Sequence, residues 1–402
     1  MATTVKTVMK ERRWVEKYPE LGTGPVSAEP CISPEYFELE REKIFRRSWL
    51  NVGNVCEIPE RGDYFVRELT VCNASILLMR GQDGVVRGFH NVCSHRGNTL
   101  AWDEKGKCRG YLTCNFHSWG YDSTGQLKWV PDEANFFDLD KSQLGLTPVA
   151  TEVFNGFIFI NLDPSPRENL TSYLDGLDKQ LTGGDFGKLK LARRYRIDEQ
   201  ANWKIGLDAQ NEVYHLPFQH RYIMPDMFLA NERGMVRVMD VSFFNRHSVY
   251  SCEMNPGHKP SALESFIMSM ETSEANRCRL PVANNSQFDF YLIFPNFVLI
   301  FFRSPSKDIC VTYNFWPLAV DHTIWEIRCY AAPMQNAADR LVEEFTSTRN
   351  RLVFDEDAVA HETVHTGLKS RAKKQLFFQD EEIQIRHFHK VVEDHVGPFT
   401  GA

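Results

Sequence analysis

The spacing of apolar residues divides the chain into a strand-rich first part and a second part that mixes strands with helices. Short runs rich in β-branched and aromatic residues predict strands in the first part at 63–69, 74–79, 85–92 and 154–162. Beyond residue 166 the same rule predicts strands at 189–198, 237–244, 248–254, 288–293, 297–302, 309–317 and 323–331. Helical patterns lie among them at 171–181, 201–217 and 335–353, and a last helix is predicted to begin near 355.

These elements indicate an α+β protein with three parts. Residues 1–49 are predicted to be an N-terminal arm and a helix that pack on the last domain. The helix should start at Ser33-Pro34-Glu35, which supplies an N-cap, a first-turn proline and an acid, and end near Trp49. Residues 50–165 read as a small all-β domain, and residues 166–402 as an antiparallel sheet backed by helices.

Composition excludes several classes of function. The 402 residues carry a net charge of −7 and no basic block, which predicts neither a nucleic-acid nor a membrane partner. The longest apolar run, 290–302, contains Pro295 and Asn296 and is too short to span a bilayer. The first residues lack the apolar core of a signal peptide, and ten cysteines in a chain of this length do not resemble a disulfide framework. We therefore expect a cytoplasmic protein with reduced cysteines.

Two Cys–His pairs form the first candidate metal site. Cys93 is followed by His95, Cys114 is followed by His117, and eighteen residues separate the pairs. Two thiolates and two imidazoles suit either a structural zinc ion or a Rieske [2Fe–2S] cluster. A zinc finger more often places both cysteines in one pair and both histidines in the other. The order Cys–His, Cys–His therefore favours the cluster, with zinc and chance proximity as the alternatives.

A second candidate site lies about a hundred residues further on. His215 and His220 are five apart, so a straight helix would place them about 140° apart. Pro217 lies between them and predicts a kink or helix end that brings the two imidazoles together. Two histidines and one carboxylate form the facial triad of non-heme iron oxygenases. The alternative is a pair of ordinary histidines near a helix end.

The two motifs together resemble the ring-hydroxylating Rieske non-heme iron oxygenases, in the terminal oxygenase (alpha) subunit. The resemblance rests on the CxH…CxxH box, on Arg-Gly after its first half and Trp-Gly-Tyr after its second, and on the pattern acid-x2-His-x4-His. It implies a catalytic domain of helix-grip type, a [2Fe–2S] cluster and Fe(2+). The implied cluster ligands are Cys93, His95, Cys114 and His117, and the implied iron ligands are His215, His220 and Asp357.

The acidic residues of the implied site have competing assignments. Asp355 and Glu356 compete with Asp357 for the third iron ligand, which in the family lies near the start of a late helix. The resemblance implies that Glu212 links a Rieske histidine of one subunit to an iron histidine of the next. Asp208 replaces an asparagine found in many members, and an acid there is expected to affect proton supply or substrate contacts.

The implied function is that of a terminal oxygenase which uses O2 to hydroxylate an apolar, aromatic substrate. O- or N-dealkylation by the same iron site is an alternative, and a Rieske electron carrier without oxygenase activity is a rival from another class. The sequence has no glycine-rich dinucleotide motif after a strand, so a separate reductase, with or without a ferredoxin, should supply electrons from NAD(P)H. The resemblance further implies a head-to-tail homotrimer, with or without a small β subunit. Expected pocket residues are Phe218, Met224, Met227, Phe228, Phe288, Phe290, Phe297, Ile300 and Phe302.

Overall fold

The computed structural model describes residues 13–181, 186–270, 288–303, 308–331 and 333–399, without the side chains of 301–303, 308 and 309. The start of the predicted arm, 1–12, therefore lies outside the described residues. The chain forms two compact units, one made of Met1–Ile44, Leu174–Gly184 and Leu189–Ala402, the other of Phe45–Tyr173 and Asp185–Lys188. The predicted boundaries at 50 and 166 remain predictions. No described helix combines the length and apolar character needed to cross a membrane.

The N-terminal segment packs on helices of the larger unit. Ser33 caps its main helix, but helical structure ends at Phe45 in a π-helical turn and does not reach Trp49. The buried carboxylate of Glu40 accepts a hydrogen bond from the ammonium group of Lys204 at 2.5 Å. This charged pair fastens the segment to the rest of the larger unit, because removal of one partner would leave an uncompensated buried charge. The N-terminal segment contains the helices and strand α1 (Trp14–Lys17), β1 (Val26–Ser27) and α2 (Pro34–Glu40).

The smaller unit is built from antiparallel strands. Its seven-stranded sheet has the order β2-β11-β10-β5-β4-β3-β6, and a three-stranded sheet has the order β7-β8-β9. The predicted strand 154–162 begins only at Phe157, because Asn155 and Gly156 adopt positive φ angles of 48° and 87° and form the turn after the preceding strand. The strands are β2 (Leu50–Asn54), β3 (Asp63–Leu69), β4 (Ala74–Arg80), β5 (Val86–His90), β6 (Lys105–Lys107), β7 (Leu112–Thr113), β8 (Gly120–Tyr121), β9 (Leu127–Trp129), β10 (Pro148–Phe154) and β11 (Phe157–Asn161).

The larger unit contains a seven-stranded antiparallel sheet with the order β12-β18-β17-β16-β15-β14-β13. Its strands are β12 (Lys190–Glu199), β13 (Asp240–Phe244), β14 (His247–Cys252), β15 (Phe288–Ile293), β16 (Phe297–Arg303), β17 (Asp308–Ala319), β18 (His322–Ala331) and, paired with β1, β19 (Gln375–Leu376). The remaining helices of the chain are α3 (Leu170–Leu174), α4 (Leu177–Gln180), α5 (Trp203–Gln210), α6 (Leu216–Gln219), α7 (Ala262–Met270), α8 (Ala337–Lys369) and α9 (Ile383–Val396). Helices together with antiparallel sheets confirm the α+β class.

Two regions of the chain differ from the predicted helices in ways that bear on the second site. The helix predicted over 201–217 ends at Gln210, and Pro217 lies in the first turn of the separate helix α6. There it needs no backbone donor, so it starts a helix rather than breaking one. The helices predicted on either side of 354 are one continuous helix, α8, since no glycine or proline occurs between its start and Gly367.

Candidate metal centres

The first candidate site consists of two loops with the same backbone geometry. Cys93 follows strand β5 and Cys114 follows strand β7. The carbonyl of Cys93 accepts a hydrogen bond from the N–H of Gly97 at 3.0 Å, and that of Cys114 from the N–H of Ser118 at 2.9 Å. Gly97 and Ser118 each have positive φ, 74° and 58°. Each Cys–His pair therefore lies inside a tight loop that turns its cysteine inwards.

Hydrogen-bond donors surround both sulfur atoms. The Tyr121 hydroxyl lies 3.2 Å from Cys93 Sγ, and the Asn98 amide donates to Cys114 Sγ at 3.5 Å. Burial raises the pKa of the Cys93 thiol. Burial acts in the same direction on Cys114, but the N–H of Phe116 and the amide of Asn98 outweigh it and lower the pKa of that thiol. Such donors favour thiolates, the form in which cysteine binds metals.

The two histidines of the loops lie against each other. The rings of His95 and His117 are 4.5 Å apart at an angle of 76°, and His95 stacks on Trp119 at 4.8 Å. Nδ1 of His95 is buried and has no hydrogen-bond partner among the described residues. Burial also lowers the pKa of this imidazole, which favours its neutral, metal-binding form. Two thiols and two imidazoles, one with an unpartnered nitrogen, fit a [2Fe–2S] cluster of Rieske type.

The second candidate site brings His215, His220 and Asp357 together. One ligand atom from each of the three lies within 4.8 Å of the others. Nε2 of His220 is 3.1 Å and Nε2 of His215 is 3.8 Å from Oδ1 of Asp357. His215 precedes helix α6 and His220 follows it, so the two imidazoles project from the ends of a single short helix. Two histidines and one carboxylate fit a mononuclear non-heme iron site.

Neighbouring side chains hold Asp357 in place. The amide of Gln219 donates to its Oδ1 at 2.6 Å and that of Gln210 to its Oδ2 at 3.3 Å. Burial tends to raise the pKa of the Asp357 carboxyl, but His220 and His215 outweigh that effect and lower it. The carboxylate is therefore charged in spite of complete burial, as a metal ligand must be.

The structure separates Asp357 from its two rivals. Asp355 is half-exposed and lies 3.6 Å from Arg351 on the outer face of α8. Glu356 approaches Nδ1 of His220 at 2.7 Å. This contact orients the imidazole from outside and leaves Nε2 of His220 directed at Asp357. Contrary to expectation, Asp357 lies well inside a long helix and not near a helix start.

Glu212 contacts the first histidine of the second site. Its Oε1 is hydrogen-bonded to Nδ1 of His215, and its Oε2 accepts from the backbone N–H groups of Tyr214 and His215. Burial lowers the pKa of His215, but the charges of Glu212 and Asp357 outweigh it and raise this pKa to about 9. Glu212 thus fixes the imidazole of His215 on the side away from Asp357.

Asp208 contacts a histidine of another helix, and its expected effect on proton supply or substrate contacts stays a prediction. Both of its carboxylate oxygens lie 3.0 Å from Nε2 of His389 on α9. Asp208 is absent from the described lining of the cavity beside the candidate ligands. Its side chain joins α5 to α9, and a direct contact with substrate does not follow from this position.

A cavity of about 540 Å³, its open mouth included, adjoins His215, His220 and Asp357. Tyr250, Phe290 and Ile300 are neighbours across β14, β15 and β16, and they form part of its sheet side. Helix α8 and the segment 209–228 supply the opposite side. The lining includes six aromatic side chains, namely Phe228, Tyr250, Phe288, Phe290, Tyr313 and Phe354.

Five expected pocket residues line this cavity: Met224, Phe228, Phe288, Phe290 and Ile300. Phe218 is exposed, and Met227 and Phe297 are buried elsewhere. The side chain of Phe302 lies outside the described residues. Sequence reasoning missed the lining residues Gln210, Tyr250, Tyr313, Asn350 and Phe354. The β-strand alternation of the two tyrosines with apolar neighbours, and the helical spacing of 350, 354 and 357, were the available signals.

Comparison with known proteins matches two parts of the chain to described domain families. Residues 48–150 match the Rieske [2Fe-2S] domain, and residues 186–397 match the ring hydroxylating alpha subunit (catalytic domain). The oxygenase subunit of glycine betaine monooxygenase from Chromohalobacter salexigens is 36% identical over 187 residues, which are 46% of this chain and 41% of that protein. The chain thus spans less than half the length of this curated relative.

Two solved structures share the fold. A quaternary ammonium Rieske monooxygenase superposes with a TM-score of 0.77 at 22% identity, over 94% of this chain and 97% of the other. Naphthalene 1,2-dioxygenase from Rhodococcus sp. superposes with a TM-score of 0.71 at 21% identity, over 94% and 95%. At these identities the superpositions establish the fold alone.

Proposed function

Since the chain belongs to the ring-hydroxylating α-subunit family, with a Rieske [2Fe-2S] domain and a catalytic domain, we propose that it is the terminal oxygenase of a monooxygenase system. We further propose that its substrate is an N-methylated cation, which it oxidises at a carbon attached to nitrogen. This corresponds to the dealkylating alternative of the sequence analysis rather than to aromatic hydroxylation.

The cofactors of the family are a [2Fe–2S] cluster and a mononuclear non-heme iron. We assign Cys93, His95, Cys114 and His117 to the cluster and His215, His220 and Asp357 to the iron. When bound, these groups supply single electrons and O2 activation. The protein's own contribution is to hold three ligand atoms beside the cavity and to fix the position of the Asp357 carboxylate through Gln219 and Gln210.

The aromatic lining of the cavity carries the substrate assignment. The rings of Tyr250 and Phe290 stack at 4.5 Å, and Phe288 lies 4.8 Å from Phe290 and 5.0 Å from Phe228. Aromatic faces attract quaternary ammonium groups by cation–π interaction. The match to a glycine betaine monooxygenase supports the same class of substrate.

The proposed reaction is balanced with two electrons and two protons. One oxygen atom of O2 enters a C–H bond beside the cationic nitrogen and gives a carbinol. The other oxygen atom takes up the two electrons and two protons and leaves as water. The carbinol then breaks its C–N bond and yields an amine, an aldehyde and a proton. Formaldehyde would show attack on an N-methyl group, whereas trimethylamine would show attack on the chain carbon.

Electron delivery requires partners. We propose that a separate reductase, with or without a ferredoxin, feeds the cluster, and that a homotrimer lets Glu212 link His215 to a Rieske histidine of a neighbouring subunit. The contact of Glu212 with His215 supports this role. The described cysteines form no disulfide bond with one another, which supports a reducing, cytoplasmic environment.

A matched pair of substrates tests the proposal. Choline and 3,3-dimethylbutan-1-ol have the same shape and hydroxyl group but differ in the positive charge. With both metals loaded and a surrogate reductase, we expect oxidation coupled to aldehyde release for the cation only. Preferential oxidation of the neutral isostere, or of naphthalene added as a third arm, would instead establish the hydroxylation of apolar compounds. Two irons per chain in place of three would establish the electron carrier.

A further inference from the structure

We propose that Tyr313 and Asn350 form a second anchoring point in the cavity, which hydrogen-bonds a neutral polar group of the substrate and so decides which carbon faces the iron ligands. This inference rests on the proposed function and names a second feature of the substrate. The compound would carry an N-methylated cation at one end and a hydroxyl, carbonyl or amide group at the other.

The other polar side chains of the cavity already have partners in the protein. Gln210 donates to Asp357, and Glu212 is bonded to His215. The Tyr250 hydroxyl donates to the carbonyl of Gln210 at 2.9 Å, so its proton is not available to a ligand. Within the described chain, the Tyr313 hydroxyl and the Asn350 amide are the lining groups that have no hydrogen-bond partner. A lining polar group that no protein group occupies is available to hydrogen-bond a ligand.

Tyr313 is held rigidly and remains a donor. It lies on β17, opposite Val298, and its ring packs 5.2 Å from Trp325 and 5.6 Å from Phe354. Burial, together with the negative charge of Asp357, raises the pKa of its hydroxyl well above the ordinary value. The phenol therefore keeps its proton and can donate a hydrogen bond to a ligand oxygen.

Asn350 lies on the same face of α8 as Asp357. Seven residues separate the two, which corresponds to two helical turns and about 10 Å. Asn350 is 8% exposed and borders the cavity, and its amide can both donate and accept. The Asn350 amide and the ligand atoms beside Asp357 define a separation that a suitable substrate must match. Such two-point binding orients a flexible molecule for attack at one carbon.

A series of substrates tests the anchor separately from the charge. Trimethylammonium compounds with a terminal hydroxyl and two to six methylene groups are compared with alkyl analogues that lack the hydroxyl. In the parent enzyme we expect a hydroxyl to raise kcat/KM by about threefold to tenfold at one preferred chain length, as one hydrogen bond provides. Tyr313→Phe combined with Asn350→Leu should abolish this preference. The products should then be a more even mixture of trimethylamine and formaldehyde, because attack is no longer directed to one carbon.

Tyr195→Phe is the matched control. This tyrosine also packs against Phe354, at 6.0 Å, but its hydroxyl donates to the carbonyl of Ser347 and it does not line the cavity. It should keep the hydroxyl preference. The visible spectrum of the cluster and the thermal transition report on folding, and Tyr313→Phe alone serves if the double variant is unstable.

The outcomes distinguish the anchor from the proposed function. The anchor is overturned if the hydroxyl preference is unchanged in both anchor variants, or if the parent enzyme shows no such preference. Oxidation of the cations would still support the proposed function in either case. If no cation is oxidised, ligand-induced thermal stabilisation of the iron-loaded protein is measured with the same series. If hydroxyl compounds stabilise the parent more than their alkyl analogues and the variants lose this difference, the anchor is supported without the proposed function. If the parent shows no such difference, both proposals are refuted.

Discussion

The two candidate metal centres are assembled in opposite ways. The four cluster residues lie between positions 93 and 117, in two loops whose backbone hydrogen bonds are closed within five residues. The three iron residues lie between positions 215 and 357, and helix α8 must pack beside α6 before they meet. The first centre is therefore a property of local sequence and the second a property of tertiary packing. Damage to each centre should have different consequences for the rest of the molecule.

The largest effect is expected from Cys93→Ser or Cys114→Ser. Both cysteines are buried in the core of the smaller unit, and metal binding is coupled to folding at such sites. We expect loss of the cluster absorption, loss of activity and a lower thermal transition of this unit, while the iron of the other unit stays bound. Cys56→Ser, at a half-buried cysteine outside the motif, is the control. A Cys93 variant with the full Rieske spectrum would refute the assignment.

His220→Ala or Asp357→Ala should abolish activity without affecting the cluster. Either change removes one of three ligands, and Asp357→Ala also leaves the amides of Gln219 and Gln210 without their acceptor. Iron analysis should give two irons per chain in place of three, with an unchanged cluster spectrum. Asp355→Ala, on the exposed face of the same helix, should retain all three. If Asp355→Ala loses the third iron and Asp357→Ala keeps it, Asp355 is the iron ligand and Asp357 is not.

The same contrast explains what the sequence could predict. The cluster loops and most strands follow from local patterns, whereas the helix boundaries near Pro217 and at the acidic run 355–357 were misplaced. The acids resembled the first turn of a helix, but a continuous helix presents positions 350, 354, 357 and 361 on one buried face. That spacing points to Asp357 without any family resemblance. The partner of Asp208 and the position of Asn350 beside the cavity depend on packing between distant segments, which no local pattern contains.

Glu212→Gln should have an intermediate effect, because the proposed link joins the two kinds of centre. The amide preserves the shape of the side chain but loses the charge that faces Nδ1 of His215. Partners of this kind commonly contribute about 10–100-fold. We expect both metals to remain and cluster reoxidation, followed after reduction and addition of substrate and O2, to slow by this factor. Reoxidation at the parent rate would show that electrons do not need Glu212, and loss of iron would make it a ligand.

The smallest and most graded effect is the pH dependence of iron uptake. Burial lowers the pKa of His215, but Glu212 and Asp357 outweigh this effect and raise it to about 9. The imidazole of His215 is therefore protonated at neutral pH in the iron-free protein. Iron requires the neutral imidazole, and binding should release about one proton. Apparent affinity for Fe²⁺ should therefore fall roughly tenfold for each unit below pH 9 and level off above it. Titration calorimetry in two buffers of different ionisation enthalpy measures the released proton. Glu212→Gln removes a charge that raises this pKa, so it should release less than the parent, and equal release would place the proton on another group.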